Sequence, residues 1–104
     1  GLVRSIHEPD ELLTEAKNIA KEIIENTSSI SVSLTRQMLW KMLGADHPME
    51  AHKVDSRFIY ELGRGNDAKE GVNSFLEKRP PEFPNKVSKD MPDYYPWWDE
   101  KEFS

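Results

Sequence analysis

Two adjacent basic residues near the end of a predicted helix are the groups in this sequence best placed for binding chemistry. Lys78 and Arg79 directly follow Phe75-Leu76-Glu77, whereas the other basic residues are interspersed with acidic ones. Pro80-Pro81 should end the helix here, because proline lacks an amide donor and restricts the residue before it. Cations at a helix C-terminus are stabilised by the helix dipole alone. The spacing therefore leaves a structural role for the basic pair open beside a functional one.

The remaining titratable residues form no catalytic or metal-binding pattern. His47 and His52 are five positions apart with a helix start between them, so they do not align on one face, and together with His7 they make no metal site. The acidic groups within residues 8–11 and 99–102 are exposed by pattern and lack the desolvation that raises a carboxyl pKa. We therefore predict no catalytic residue and no metal ligand in this chain.

Composition limits the classes of protein to which the chain can belong. With 104 residues, 37% of them hydrophobic and 32% charged, it is one domain at most and polar for a self-sufficient globule. Amphipathic helices that pack on a larger core, or on copies of themselves, have this composition, and an exposed apolar face should drive association. The formal charge of -5 disfavours binding to nucleic acid.

The absence of cysteine excludes disulfides and a thiol nucleophile, and it is compatible with the cytoplasmic location that we predict. No stretch approaches the roughly 20 apolar residues of a membrane helix.

Apolar residues recur at helical spacing in four segments, which predicts an all-α fold. Start and stop signals give the bounds: about Pro9 to Asn26; from the cap at Thr27-Ser28-Ser29 to Gly44; from Asp46-His47-Pro48 to Gly63; and from a cap at Asn66 or Asp67 to Pro80. The first helix should face a core with one side. Gly71 lies inside the fourth at a cost of roughly 1 kcal/mol relative to alanine. Close approach of a backbone or ligand explains it about as well as simple tolerance.

An extended arm follows the helices. Residues 80–104 contain five of the seven prolines and the run Tyr94-Tyr95-Pro96-Trp97-Trp98, with no helical or strand period. We expect this arm to wrap a surface through its aromatic rings, either on a partner or on the chain's own core. The predicted division is a helical domain at 1–85 and a proline-rich, aromatic tail at 86–104.

The run from Asp67 to Phe83 resembles the C-terminal signature of the crotonase superfamily, the enoyl-CoA hydratases and isomerases. Gly1-Leu2-Val3 resembles the segment that follows the catalytic core in that family, and Asp10 to Gly44 resembles its next two helices. The resemblance covers roughly residues 1–85 in the right order. It implies that the four helices are the C-terminal helical part of the crotonase fold. It also implies that the oxyanion-hole glycines and catalytic carboxylates lie upstream of Gly1.

The same resemblance assigns site residues. In crotonases the matching phenylalanine and lysine lie near the nucleotide of coenzyme A, and this coenzyme A is often bound to the neighbouring subunit. The resemblance therefore makes Phe75 and Lys78 the predicted cofactor-binding residues. Lysine can neutralise the ribose 3'-phosphate or the pyrophosphate as a compact point charge, while core packing explains Phe75 equally well. Phe58 and Ile59 are weaker candidates for the acyl or CoA wall, and core packing is the expectation for Phe58.

The function implied is that of an enoyl-CoA hydratase or isomerase acting on acyl-CoA thioesters, with coenzyme A present only as part of the substrate. This chain would shape the floor of the acyl pocket, contribute to the CoA site and build the interface of a trimer or dimer of trimers. Alone it should have no activity, and it should self-associate. The alternative is a free-standing helical module for protein–protein interaction, with the aromatic arm as its docking segment.

Overall fold

The computed structural model describes residues 1–102, which contain four α-helices and no strand. Their bounds are α1 Leu12–Asn26, α2 Ser29–Lys41, α3 Pro48–Leu62 and α4 Asn66–Glu77, with a 3₁₀ turn at Met42–Gly44 after α2. None of the described helices is both long and apolar enough to cross a bilayer. The all-α prediction is confirmed, and the last two residues of the predicted tail lie outside the described range.

Local signals in the sequence fix the starts of the two middle helices. The Ser28 hydroxyl accepts from the Ser31 amide at 3.3 Å and caps α2. His47 Nδ1 accepts from the Met49 amide at 3.0 Å and caps α3, whose first residue is Pro48. Both starts are as predicted, because each segment offers an acceptor side chain to amides that have no partner within the helix.

The predicted starts of the other two helices are wrong. Residues 9–11 form a turn in which the Glu11 and Leu12 amides both donate to the Glu8 carbonyl, so α1 begins at Leu12 rather than Pro9. Gly65 is the N-cap of α4, and no side chain caps that helix. The Asp67 carboxylate, one of the two predicted caps, is instead bound to Ser28 and to the Asn85 amide.

The hydrophobic core is small and includes the arm. Its buried residues are Ile30, Leu34 and Phe58, and partly buried side chains packed on them are Met38, Val54, Leu62, Met91, Tyr94, Tyr95 and Trp97. The Phe58 ring stacks on Tyr94 with centroids 5.5 Å apart and meets the edge of Trp97 at 5.2 Å. Of the two surfaces considered for the aromatic arm, the chain's own core is the one it covers.

The apolar side of α1 is not part of this core. No residue of α1 is buried, and Leu13 and Ile24 are 66% and 76% exposed. The core that α1 is predicted to face is therefore not supplied by residues 1–102. The radius of gyration is 16.9 Å, against about 13 Å for a compact domain of similar length. The helices are thus spread apart, and α1 presents an apolar surface.

Candidate functional site

The C-terminal half of α4 presents an apolar side to solvent. Val72 and Leu76 are 59% and 71% exposed, and Phe75, between them on the same side, is 82% exposed. Core packing within this chain therefore does not explain Phe75, although the sequence had left that explanation open. An exposed aromatic ring beside two aliphatic side chains offers a surface for an apolar or flat partner.

The backbone at Lys78 is left-handed, with φ 55° and ψ 41°, and it is the only non-glycine residue of 1–102 with positive φ. The Lys78 amide donates to the Phe75 carbonyl at 3.3 Å and the Arg79 amide to the Ser74 carbonyl at 3.0 Å. These two bonds are those of a Schellman turn, whose left-handed position is usually glycine. Lysine there costs roughly 1–2 kcal/mol because its Cβ crowds the following carbonyl.

The Lys78 side chain is exposed and is absent from the ion pairs of residues 1–102. A charged side chain thus sits at a strained backbone position with its ammonium available to an anion. Observed strain of this kind is a reason to look for a functional role.

Arg79, the second residue of the predicted basic pair, is held by carboxylates of its own chain. Its two terminal nitrogens donate to the Glu70 carboxylate at 2.6 and 2.9 Å, and its Nε donates to Glu77 at 2.6 Å. The Glu82 amide also donates to Glu70, at 2.7 Å. We call these four residues the Arg79 clamp. Donation from Arg79 and then from the Glu82 amide lowers the pKa of Glu70 to about 2, so its carboxylate stays charged at neutral pH.

Phe58 and Ile59, the two weaker candidates on α3, differ in burial. Phe58 is 5% exposed and belongs to the core, as expected for an aromatic on the apolar stripe. Ile59 is 66% exposed, so it stays a candidate for the wall of the acyl or CoA pocket.

A Cβ added at Gly71 would meet Phe83 Cε1 at 3.7 Å, which is ordinary contact. Close approach within this chain is therefore not the reason for that glycine.

Two of the three histidines make local hydrogen bonds. His47 caps α3, and His7 Nε2 lies 2.6 Å from the Ser5 hydroxyl. No three histidine or acidic side chains gather into a possible metal site in the described part of the chain.

Sequence reasoning missed a buried polar cluster that joins three segments. The Ser28 hydroxyl donates to Asp67 Oδ2, and the Asn85 amide donates to Asp67 Oδ1 at 3.1 Å. Ser28 and Asp67 are each 8% exposed. The cluster therefore ties the starts of α2 and α4 to the arm and sets where α4 lies. No periodic sequence pattern predicts this cluster, because Asp67 lies 39 positions from Ser28 and 18 positions from Asn85.

A groove of about 690 Å³ lies between α2, α3 and the arm. Its apolar wall includes Leu34, Met38, Phe58 and Leu62, and its acidic lining residues are Asp55, Glu61, Asp67 and Asp90. The volume is in the range of small-molecule sites. The carboxylates would repel a phosphate, so the groove and the Lys78 end of α4 suit different parts of a ligand, or different ligands.

Comparison with known proteins gives a consistent family. The model of the enoyl-CoA hydratase/isomerase family matches residues 1–86. The chain is 35% identical over 79 residues to enoyl-CoA hydratase AKT3-2 of Alternaria alternata, which covers 76% of this chain and 26% of that protein. It is 35% identical over 85 residues to a putative enoyl-CoA hydratase of Thermus thermophilus, with 80% and 32% covered. The short-chain-enoyl-CoA hydratase of Clostridium acetobutylicum is 33% identical over 79 residues, with 76% and 30% covered.

The chain thus spans 26% to 32% of the length of these relatives. The family match includes α1 to α4 together with Phe75 and Lys78, and it stops before the aromatic run of the arm. The chain therefore belongs to the enoyl-CoA hydratase/isomerase family.

Proposed function

We propose that this chain is the CoA-binding helical part of an enzyme that acts on acyl-CoA thioesters. In this proposal the Lys78 ammonium contacts a phosphate of CoA, and the Phe75 ring lies against the adenine or the pantetheine. One observation carries it: an exposed lysine without an ion pair in residues 1–102 occupies a strained left-handed position, three residues from an aromatic ring that is 82% exposed. The relatives that match this segment are named enoyl-CoA hydratases.

Charge supports Lys78 over the groove as the phosphate contact. A lysine ammonium is a compact point charge that suits a phosphate oxygen, whereas Arg79 beside it is already ion-paired with Glu70 and Glu77. The groove is lined by acidic side chains, which disfavour an anion there. Its apolar wall is instead suited to an acyl chain, in line with a contribution of this chain to the acyl pocket.

The proposed contribution is binding rather than catalysis. General acid catalysis at neutral pH needs a carboxyl group with a raised pKa, so Glu50 beside Lys53 and Glu70 beside Arg79, whose pKa values are lowered, are not suited to that role. In the proposal, the amides that stabilise the enolate and the carboxylates that move protons belong to the part of the enzyme outside these residues.

The proposal extends to assembly and location. The exposed apolar sides of α1 and α4 would be covered by the rest of the enzyme or by a neighbouring subunit of a homo-oligomer. A cytoplasmic location is compatible with the lack of cysteine. The alternative of an interaction module needs free aromatic rings in the arm, and the packing of Tyr94 and Trp97 on Phe58 leaves them less available to a partner.

The test is Lys78→Ala in the enzyme that contains this chain, with crotonyl-CoA as substrate. A contact to the remote nucleotide stabilises ground and transition states about equally, so KM should rise while kcat stays nearly unchanged. A partly exposed charge-assisted contact is worth about 1–2 kcal/mol, or roughly 5- to 30-fold in KM. The matched control is Lys17→Ala, which removes an exposed lysine from the polar side of α1.

The partner phosphate is identified with a second substrate. If Lys78 contacts the 3'-phosphate, the effect of Lys78→Ala on KM should shrink with crotonyl-3'-dephospho-CoA. An equal loss with both thioesters would move the contact to the pyrophosphate. An unchanged KM with crotonyl-CoA would return Lys78 to the role of a helix-terminal cation and refute the proposed site.

A further inference from the structure

The Arg79 clamp holds the chain on the far side of Lys78, so it bears on where the lysine points. We infer that Glu70 is a positioning residue for CoA: through the clamp it keeps Lys78 in the left-handed turn that presents its ammonium to the phosphate. The inference rests on the function proposed above and extends it to a residue that is not expected to touch CoA.

Glu70 accepts hydrogen bonds from residues that follow Lys78 in the chain. Its carboxylate accepts from both terminal nitrogens of Arg79 and from the Glu82 amide, at 2.6–2.9 Å. Its side chain is only 16% exposed, so these bonds are partly shielded from water. Lys78 therefore lies between the end of α4, which precedes it, and Arg79 and Glu82, which follow it and are bound to Glu70 on α4.

Two prolines directly follow Arg79. Pro80 and Pro81 have no amide hydrogen, so the next backbone donor after Arg79 is the amide of Glu82. The Glu82 amide donates its hydrogen bond to the Glu70 carboxylate. Without the Glu70 carboxylate, the Arg79 amide bond to Ser74 would be the remaining backbone hydrogen bond that ties this turn to α4 beyond Lys78.

The conformation of Lys78 also needs a restraint on energetic grounds. Lysine is disfavoured in the left-handed region, so the conformation persists only where the surroundings determine it. A bidentate arginine–carboxylate pair has the directional geometry that a lysine–carboxylate pair lacks. The clamp thus restrains the backbone at Lys78 in its left-handed conformation. Glycine at the same position would adopt that conformation without such a restraint.

A double-mutant cycle in the enzyme that contains this chain tests the inference, with KM for crotonyl-CoA measured for the parent, Glu70→Ala, Lys78→Ala and the double variant. Glu70→Ala alone should raise KM by about 2- to 10-fold, the lower part of the range that coupled neighbours show, with kcat little changed. In the Lys78→Ala background the same change should leave KM within about twofold, because the residue through which Glu70 acts is already absent.

Two further variants and one further readout separate positioning from a general structural effect. Glu70→Gln keeps the side-chain size and an acceptor for the Glu82 amide, and it should raise KM less than Glu70→Ala. Glu50→Ala, which breaks a 2.9 Å glutamate–lysine pair on α3, should leave KM unchanged. Hydrogen exchange of the Arg79 amide should accelerate in Glu70→Ala in both backgrounds, since the turn loosens whether or not the lysine side chain is present.

The outcomes are distinguishable. If Lys78→Ala leaves KM unchanged, the proposed function fails and this inference fails with it. If Lys78→Ala raises KM but Glu70→Ala does not, only the positioning role is overturned. An equal effect of Glu70→Ala in both backgrounds would also overturn it, because Glu70 would then act on CoA binding by another route.

Discussion

Replacing Trp97 with alanine should destabilise the helical core, although this residue lies beyond the family match. Trp97 is half-buried, and its ring meets Phe58, one of the three buried apolar residues within 1–102, at a centroid distance of 5.2 Å. It also supports the neighbouring Trp98 ring at 4.6 Å. The change therefore removes part of the cover over the centre of the core.

The expected magnitude follows from burial. Truncating a fully buried tryptophan or phenylalanine to alanine costs about 3–5 kcal/mol, and roughly half of that, about 2 kcal/mol, is expected for a half-buried ring. The edge-to-face contact with Phe58 is included in this figure. With a urea dependence of about 2 kcal/mol per molar, the unfolding midpoint should fall by about 1 M at unchanged slope.

The assay is urea unfolding of this chain followed by helical circular dichroism. Trp40→Ala is the matched control, because Trp40 is 64% exposed and its ring contacts the Arg36 guanidinium, 4.5 Å from the ring centroid, a contact worth about 0.5–1 kcal/mol. Equal midpoints for the two variants would refute the packing of the arm on Phe58. Trp97→Phe should recover most of the loss.

Further predictions concern the end of α4 and the chain as a whole. Lys78→Gly should be more stable than Lys78→Ala by roughly 0.5–1 kcal/mol, because only glycine avoids the strained Cβ; equal thermal midpoints would contradict this. Gly71→Ala should stabilise by roughly 1 kcal/mol, since the added methyl would lie 3.7 Å from Phe83 Cε1; a lower urea midpoint would reveal crowding. The pKa of Glu70 is about 2, below its ordinary 4.5. The clamp's contribution to stability should therefore be complete above about pH 4.5 and be lost as the pH falls towards 2, and Glu70→Gln should flatten that part of the unfolding profile. The chain by itself should not hydrate crotonyl-CoA and should self-associate through the exposed sides of α1 and α4; turnover above background, or a monomer in sedimentation at tens of micromolar, would count against these expectations.

The parts of the fold that depend on neighbours in sequence could be predicted. Ser28 and His47-Pro48 mark helix starts because their side chains or ring satisfy the first turn locally. Pro80-Pro81 marks a stop for an equally local reason, the missing amide hydrogens. The aromatic run likewise predicted an arm that binds through its rings, and those rings do pack on a surface.

The parts that depend on distant residues could not be predicted. An apolar stripe on α1 indicates that something should cover it, but the stripe does not say whether the cover belongs to this chain. The partners of Asp67 come from α2 and the arm, so its position near the start of α4 suggested a cap that it does not provide. The left-handed backbone at Lys78 also escaped prediction, because such turns normally carry glycine.

The most direct test of the proposed site is the distance between Lys78 Nζ and the nearest phosphate oxygen in a structure of the CoA-bound enzyme. We expect a charge-assisted contact, at about 2.7–2.9 Å if direct, with the Phe75 ring against the nucleotide or pantetheine. A separation of roughly 10 Å or more, beyond the range of screened attraction at physiological ionic strength, would contradict it.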